Sequence, residues 1–190
     1  MPNFSFEDSL NLHADAIQKL YDDEFINKIG ELAEAIVVSI RGGGKLVVFG
    51  NGGSAAEATH FATELVSRCS KDHNPWPAIS LTDSSSNLTA IGNDYGFENV
   101  FSRQIEAIAN EHDCIIAFST SGKSPNVIKG LDVATKKAKN IYLITGLDYV
   151  HDSMSLWKYI ALPSHKTTIV QEMHLWLIHA LSEYCESQLI

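Results

Sequence analysis

His60 and Glu64 stand four residues apart in a stretch of helical periodicity, so their side chains share one helix face. Such a pair could hold a divalent metal or work as an acid and a base, although the same spacing also occurs as a plain surface hydrogen bond. Arg68 lies one turn further on. A second polar group interrupts an apolar run near the C-terminus, where Gln171, Glu172, His174 and His179 are set among Ile169, Met173, Leu175, Ile178 and Leu181. Polar groups placed there either find partners or cost stability. His174 and His179 are about 140° apart around a helix, so at most one of them faces a given site.

Two loops could bind an anion. Gly50-Asn51-Gly52-Gly53-Ser54-Ala55 formally satisfies the dinucleotide pattern G-x-G-x-x-G/A. That pattern also needs an acid at the end of the next strand; Asp72 has the spacing but lies in a polar stretch, and Asp83 has the strand-end position but comes late. In Ser119-Thr120-Ser121-Gly122-Lys123-Ser124-Pro125, hydroxyls and backbone N–H groups gather between a strand end and a helix start, which makes a concave phosphate cradle. Gly122-Lys123-Ser124 is not a Walker A loop, because the first glycine of that motif would fall on Ala117, inside the strand. A hydroxyl-rich cradle without that lysine motif suits a monophosphate on a small molecule.

The elements that must position these groups alternate. Apolar spacing predicts two helices between Phe6 and Arg41, closed by Gly42-Gly43-Gly44. Strands are expected at Lys45–Phe49, Ala78–Leu81, Cys114–Phe118, Ile141–Ile144 and Tyr159–Leu162. Helices are expected from the first glycine loop to about Arg68, over Glu98–Ala109, after the N-cap Ser124 with Pro125 at the first helical position, and from about Thr167 to Ser187. This order implies a three-layer, doubly wound α/β fold with a mostly parallel five-stranded sheet and an N-terminal helical extension, and places ligands at the carboxyl ends of the strands. One domain is expected over residues 1–190, with 1–42 as oligomerisation helices and 43–190 as the α/β core.

Fourteen Lys+Arg against 23 Asp+Glu give a formal charge of −9, which argues against a nucleic-acid face, so any phosphate must be held locally. Hydrophobic residues at 45% suffice for one full core. The N-terminal stretch carries no basic, apolar signal pattern, and no apolar run approaches a membrane span of roughly 20 residues. Cys69, Cys114 and Cys185 form no CxxC pair, which suggests reduced thiols in a cytoplasmic protein, read as small core residues.

Taken together, Phe49-Gly50-Asn51-Gly52-Gly53-Ser54-Ala55-Ala56, the His60…Glu64 helix, Thr89-Ala90-Ile91-Gly92-Asn93-Asp94-Tyr95-Gly96-Phe97, Val100-Phe101-Ser102-Arg103-Gln104, the Ser119–Val127 loop and Gln171-Glu172-Met173-His174…His179 resemble, in order and spacing, the phosphoheptose isomerase family of sugar isomerase (SIS) domain enzymes. The resemblance spans nearly the whole chain. It implies an aldose–ketose isomerase acting on a seven-carbon sugar phosphate, with Glu64 as base and His179 as its acid/base partner. It implies zinc at His60, Glu64, Gln171 and His179, and substrate contacts at Asn51, Gly52, Gly53, Glu64, Asn93, Asp94, Ser119, Thr120, Ser121, Ser124 and Gln171. A homotetramer with active sites at subunit interfaces is also implied. Gln171 and His179 lie about 12 Å apart along one helix, so a metal bound by both needs either donors from different subunits or a weak Gln171 bond. Where the family usually carries Arg two residues before the Gln, this chain has Ile169. A related SIS protein that binds a replication initiator lacks the Glu and His that this chain keeps, which favours the enzyme over a non-catalytic module that binds a sugar phosphate or a protein partner.

Overall fold

The computed structural model describes residues 4–149 and 155–190. Two helices, α1 (Phe6–Gln18) and α2 (Asp23–Arg41), precede the first strand. Each starts at a side-chain cap, with Ser5 Oγ accepting from Asp8 N–H and Asp22 Oδ1 accepting from Phe25 N–H. Gly43, with φ of 79°, turns the chain out of α2 into β1 (Leu46–Gly50). The remaining elements are α3 (Gly53–Val66), β2 (Ala78–Ser80), α4 (Ser85–Tyr95), α5 (Ser102–Ile108), β3 (Cys114–Phe118), α6 (Pro125–Ala134), β4 (Asn140–Gly146), β5 (Lys158–Leu162) and α7 (Thr167–Leu189).

The five strands pair in the order β2-β1-β3-β4-β5, and every pairing is parallel. Alternation along the strands feeds two cores. Leu46 and Val48, Cys114, Ile116 and Phe118, and Tyr142 and Ile144 pack towards α2, α3 and α7. Val47 and Phe49, Ile115 and Ala117, and Ile141 and Leu143 pack towards α5 and α6. Both faces being covered, the central strands read as continuous apolar runs, which is why they were legible as strands. Leu32, Ile36 and Val37 of α2 are fully buried in the first core, so this helix forms part of a sheet-covering layer. The free apolar side chains of the N-terminal region, among them Phe6 (80% exposed), Leu10 (71%) and Ile26 (53%), lie outside that core.

One expected element divides differently. The helix expected over Glu98–Ala109 is a single 3-10 turn at Phe97–Asn99 followed by the shorter α5. Just before it lies α4, capped by Ser84 Oγ on Asn87 N–H, which buries no residue fully and packs only Leu88 and Ile91 in part against the second core, a weak apolar period. The three cysteines are free thiols as expected, but only Cys114 and Cys185 are fully buried; Cys69 is half-buried.

Candidate active site

The chain leaves β1 towards β2 on one side and towards β3 on the other, so the switch point of the sheet lies at the carboxyl ends of β1 and β3. Both anion-loop candidates are there. Gly52, at φ of 56°, makes the turn into α3, a backbone state that side chains with a Cβ rarely adopt. The second loop is tied to β4, because Ser119 N–H donates to Ile144 O at 3.0 Å and Gly146 N–H to Thr120 O at 3.0 Å. Ser121 Oγ accepts from Lys123 N–H at 3.2 Å. Ser124 stands at the N-cap position of α6 but its hydroxyl makes no capping bond; Pro125 has no N–H and the Val127 and Ile128 N–H groups both donate to Ser124 O at 3.0 Å, so the Asn126 N–H is the donor that the first turn can still offer.

A residue pair that sequence reading did not single out joins the two loops. Asn51 and the buried Asn126 exchange amide hydrogen bonds, each at 2.8 Å. Asn126 lies in the loop motif itself, but its partner is 75 positions away, a distance over which no local pattern carries information.

The candidate acid/base and metal residues converge beside this crevice. His60 Nε2 is 2.7 Å from Glu64 Oε1 and 3.3 Å from His179 Nε2, and the three groups offer ligand atoms within 4.8 Å of one another. Gln171 is placed differently: its amide rests on Gly53, where any Cβ would overlap it. Gln171, His60, Gly53 and Glu57 line one cleft of about 420 Å³ on the α7 side of α3. A second cleft of about 460 Å³ opens on the other side of the same helix, lined by Asn51, Gly52, Thr59, Thr82, Phe97 and Phe101. Asn93 and Asp94 line neither cleft; they are exposed near the end of α4 and hydrogen-bond to each other at 2.7 Å. Of the two histidines on α7, only His179 faces His60. His174 is buried and meets Glu57 Oε2 through Nδ1 at 2.7 Å. Ile169 is 2% exposed within the first core, so the position at which the family resemblance leads to an expectation of Arg is used here for packing. Cys69 stands against Glu64: burial, and next a hydrogen bond to that carboxylate, push its thiol up to about 11.

A parallel sheet with hydroxyl-rich and glycine-rich loops at its switch point defines a sugar isomerase type of domain, and the profile of the SIS domain family matches residues 12–146. The phosphoheptose isomerase of Trichlorobacter lovleyi is 43% identical over 177 residues, covering 93% of this chain and 90% of that protein. Phosphoheptose isomerase 1 of Campylobacter jejuni serotype O:2 is 47% identical over 162 residues, covering 83% of each. The solved phosphoheptose isomerase of Neisseria gonorrhoeae superposes with a TM-score of 0.79 at 34% identity, covering 96% of this chain and 95% of its own. This chain belongs to the phosphoheptose isomerase family of SIS domain proteins.

Proposed function

We propose that this protein converts D-sedoheptulose 7-phosphate to D-glycero-D-manno-heptose 7-phosphate through an enediol. The observation that carries the reading is the convergence of His60, Glu64 and His179 beside the cleft, in a chain 43% identical to a phosphoheptose isomerase over most of its length. The 7-phosphate is held at the switch point, where Ser119, Thr120, Ser121 and Ser124 offer hydroxyls and the start of α6 offers the Asn126 N–H. Asn51, Gly52 and Gly53 face the sugar from the opposite loop.

At the other end of the substrate, Glu64 removes the proton from C1 and returns one to C2, while His179 moves the proton between O1 and O2. A divalent metal suits the donor set of two imidazoles and a carboxylate. Donors on a tetrahedral zinc with bonds of about 2.05 Å stand about 3.3 Å apart, and the His60 and His179 Nε2 atoms are separated by 3.3 Å. His60, Glu64 and His179 would hold the ion, with Gln171 as a further donor, and when bound it supplies Lewis-acid polarisation of the sugar oxygens. Were the ion bound there, Glu64 would serve as the base only with its carboxylate not tied up as a tight ligand.

Asn93 and Asp94, remote from both clefts of the single chain, contact substrate across a subunit boundary in a homotetramer assembled through the exposed apolar side chains of α1 and α2. The protein works in the cytoplasm, and its product feeds surface-polysaccharide synthesis. Among the described residues no helix is long and apolar enough to cross a membrane. Incubation of the purified protein with sedoheptulose 7-phosphate, with and without chelator, tests the reading. Heptose 7-phosphate formation that the chelator abolishes supports it, whereas binding without turnover marks a non-catalytic sugar-phosphate module.

A further inference from the structure

Helices α3 and α7 run side by side in the same direction and are joined by three polar contacts in register. The Gln171 amide rests on Gly53, His174 Nδ1 meets Glu57 Oε2 at 2.7 Å, and His179 Nε2 meets His60 Nε2 at 3.3 Å. The outer two contacts carry the metal-ligand candidates. The middle one carries none of the residues assigned to the reaction, and it is the most buried: His174 has no exposed surface and the Glu57 side chain is 11% exposed.

Glu57 as a carboxylate can only accept, so Nδ1 of His174 bears the hydrogen of this bond. The other ring nitrogen, Nε2, is buried without a partner, and the ring meets Phe118 at 5.0 Å with an interplanar angle of 62°. An aliphatic side chain would fill the same space with no orphaned nitrogen. The histidine therefore carries an orphaned nitrogen that a leucine would not, and its one specific return is the bond to Glu57.

We propose that Glu57 and His174 are a positioning pair that sets the register of α3 against α7 and thereby the separation of His60 and His179. The inference rests on the metal reading given above. Apolar ridges between two helices tolerate small slides and rotations, whereas a short hydrogen bond to a charged group has a narrow range of distance and angle. Metal bonds hold their lengths within about 0.2 Å, so a slip of half an ångström between the helices would spoil the imidazole pair. Groups that orient metal ligands without touching the metal typically change its affinity by 10–100-fold.

The test uses full-length protein carrying His174→Leu, Glu57→Ala or Glu57→Gln. Zinc affinity is measured by competition with a chromophoric chelator, the cobalt(II) absorption bands report coordination geometry, and thermal unfolding is followed on metal-free protein. His174→Leu and Glu57→Ala are expected to weaken zinc binding 10–100-fold and to shift the cobalt bands, while both metal-free variants still unfold in one cooperative transition. Glu57→Gln keeps an acceptor oxygen for Nδ1 and should bind zinc within about threefold of the parent protein. Parent-like zinc affinity and cobalt spectrum in His174→Leu would overturn the proposal, as would a loss in Glu57→Gln as large as in Glu57→Ala. If the parent protein itself binds no zinc or cobalt, it is the metal reading that fails, and this inference falls with it.

Discussion

Asn126→Ala removes both amide bonds that tie the two anion loops together, each 2.8 Å long and made by a residue only 3% exposed. Neutral hydrogen bonds contribute about 0.5–1.5 kcal/mol each, so the pair is worth about 1–3 kcal/mol. In a domain of this size 1 kcal/mol moves the unfolding midpoint by about 2–4 °C, so a fall of roughly 3–10 °C is expected by calorimetry. The functional consequence is separate. Asn51 precedes α3 and Asn126 lies in the first turn of α6, so the bonds align two helix N-termini at the proposed phosphate site. Losing the alignment should cost about one charge-assisted bond, roughly 1.5–3 kcal/mol, or at least tenfold in affinity for inorganic phosphate measured by titration calorimetry. Asn51→Ala alone and the double variant complete a cycle whose coupling energy isolates the pair. Coupling below about 0.5 kcal/mol, together with unchanged phosphate affinity, would refute the idea that this contact organises the crevice.

Ser121→Ala and Ser124→Ala should each weaken binding of the sugar phosphate by about tenfold, from the loss of a bond worth about 1.5–3 kcal/mol; unchanged affinity in both removes the cradle from the site. Glu64→Gln should keep the fold and phosphate binding but abolish exchange of the C1 proton with solvent, read by NMR in deuterated water, and near-parental exchange would strip Glu64 of its role as base. Glu186 governs acid stability: burial pushes its carboxyl up, but N–H bonds from Lys71, Cys69 and Ser70, helped by His73, outweigh this and hold it below its ordinary value. A carboxyl lowered on folding stabilises above its unfolded pKa, about 4.5, and loses that contribution as pH falls through the folded value. Glu186→Gln should therefore unfold at lower temperature at pH 7 and show a shallower decline than the parent protein below pH 4.5; parallel curves would contradict the linkage.

The strands were legible because burial on both faces leaves an unbroken apolar run, and Cys114–Phe118 has the same bounds in sequence and structure. Helix α6 was equally plain, its Ser-Pro start being a local signal. By contrast α4 buries no residue fully, and its marks are the capping Ser84 and the single apolar pair Leu88 and Ile91. The catalytic set divides along the same line. The His60–Glu64 pairing is an i, i+4 relation that any helix enforces, whereas the approach of His179 to His60 spans 119 positions and depends on how α7 lies over α3. Family resemblance supplied the latter; periodicity could not. His174 stood out in the sequence as a polar group in an apolar run that needs a partner, but neither route pointed to Glu57 as that partner, because a carboxylate on α3 looks ordinary until the two helices are set side by side.

That separation of sources follows from what each end of the site must do. A phosphate asks for many donors around one point, and loops at a switch point deliver backbone N–H groups and hydroxyls within a few consecutive residues. Such a site is compact in sequence and can be read there. Moving a proton between adjacent carbons asks instead for a base and an acid on fixed sides of a small reacting centre, which one helix cannot provide. Two rigid helices set by packing can, and in the proposed reaction α3 serves both ends: its N-terminus lies at the candidate anion crevice and its third and fourth turns carry His60 and Glu64. The helix thus acts as a ruler between the phosphate and the reacting carbons. On the proposed function, any change that tilts α3, at Gly53 under Gln171 or at Glu57 under His174, would therefore alter which carbon of a bound sugar lies opposite Glu64.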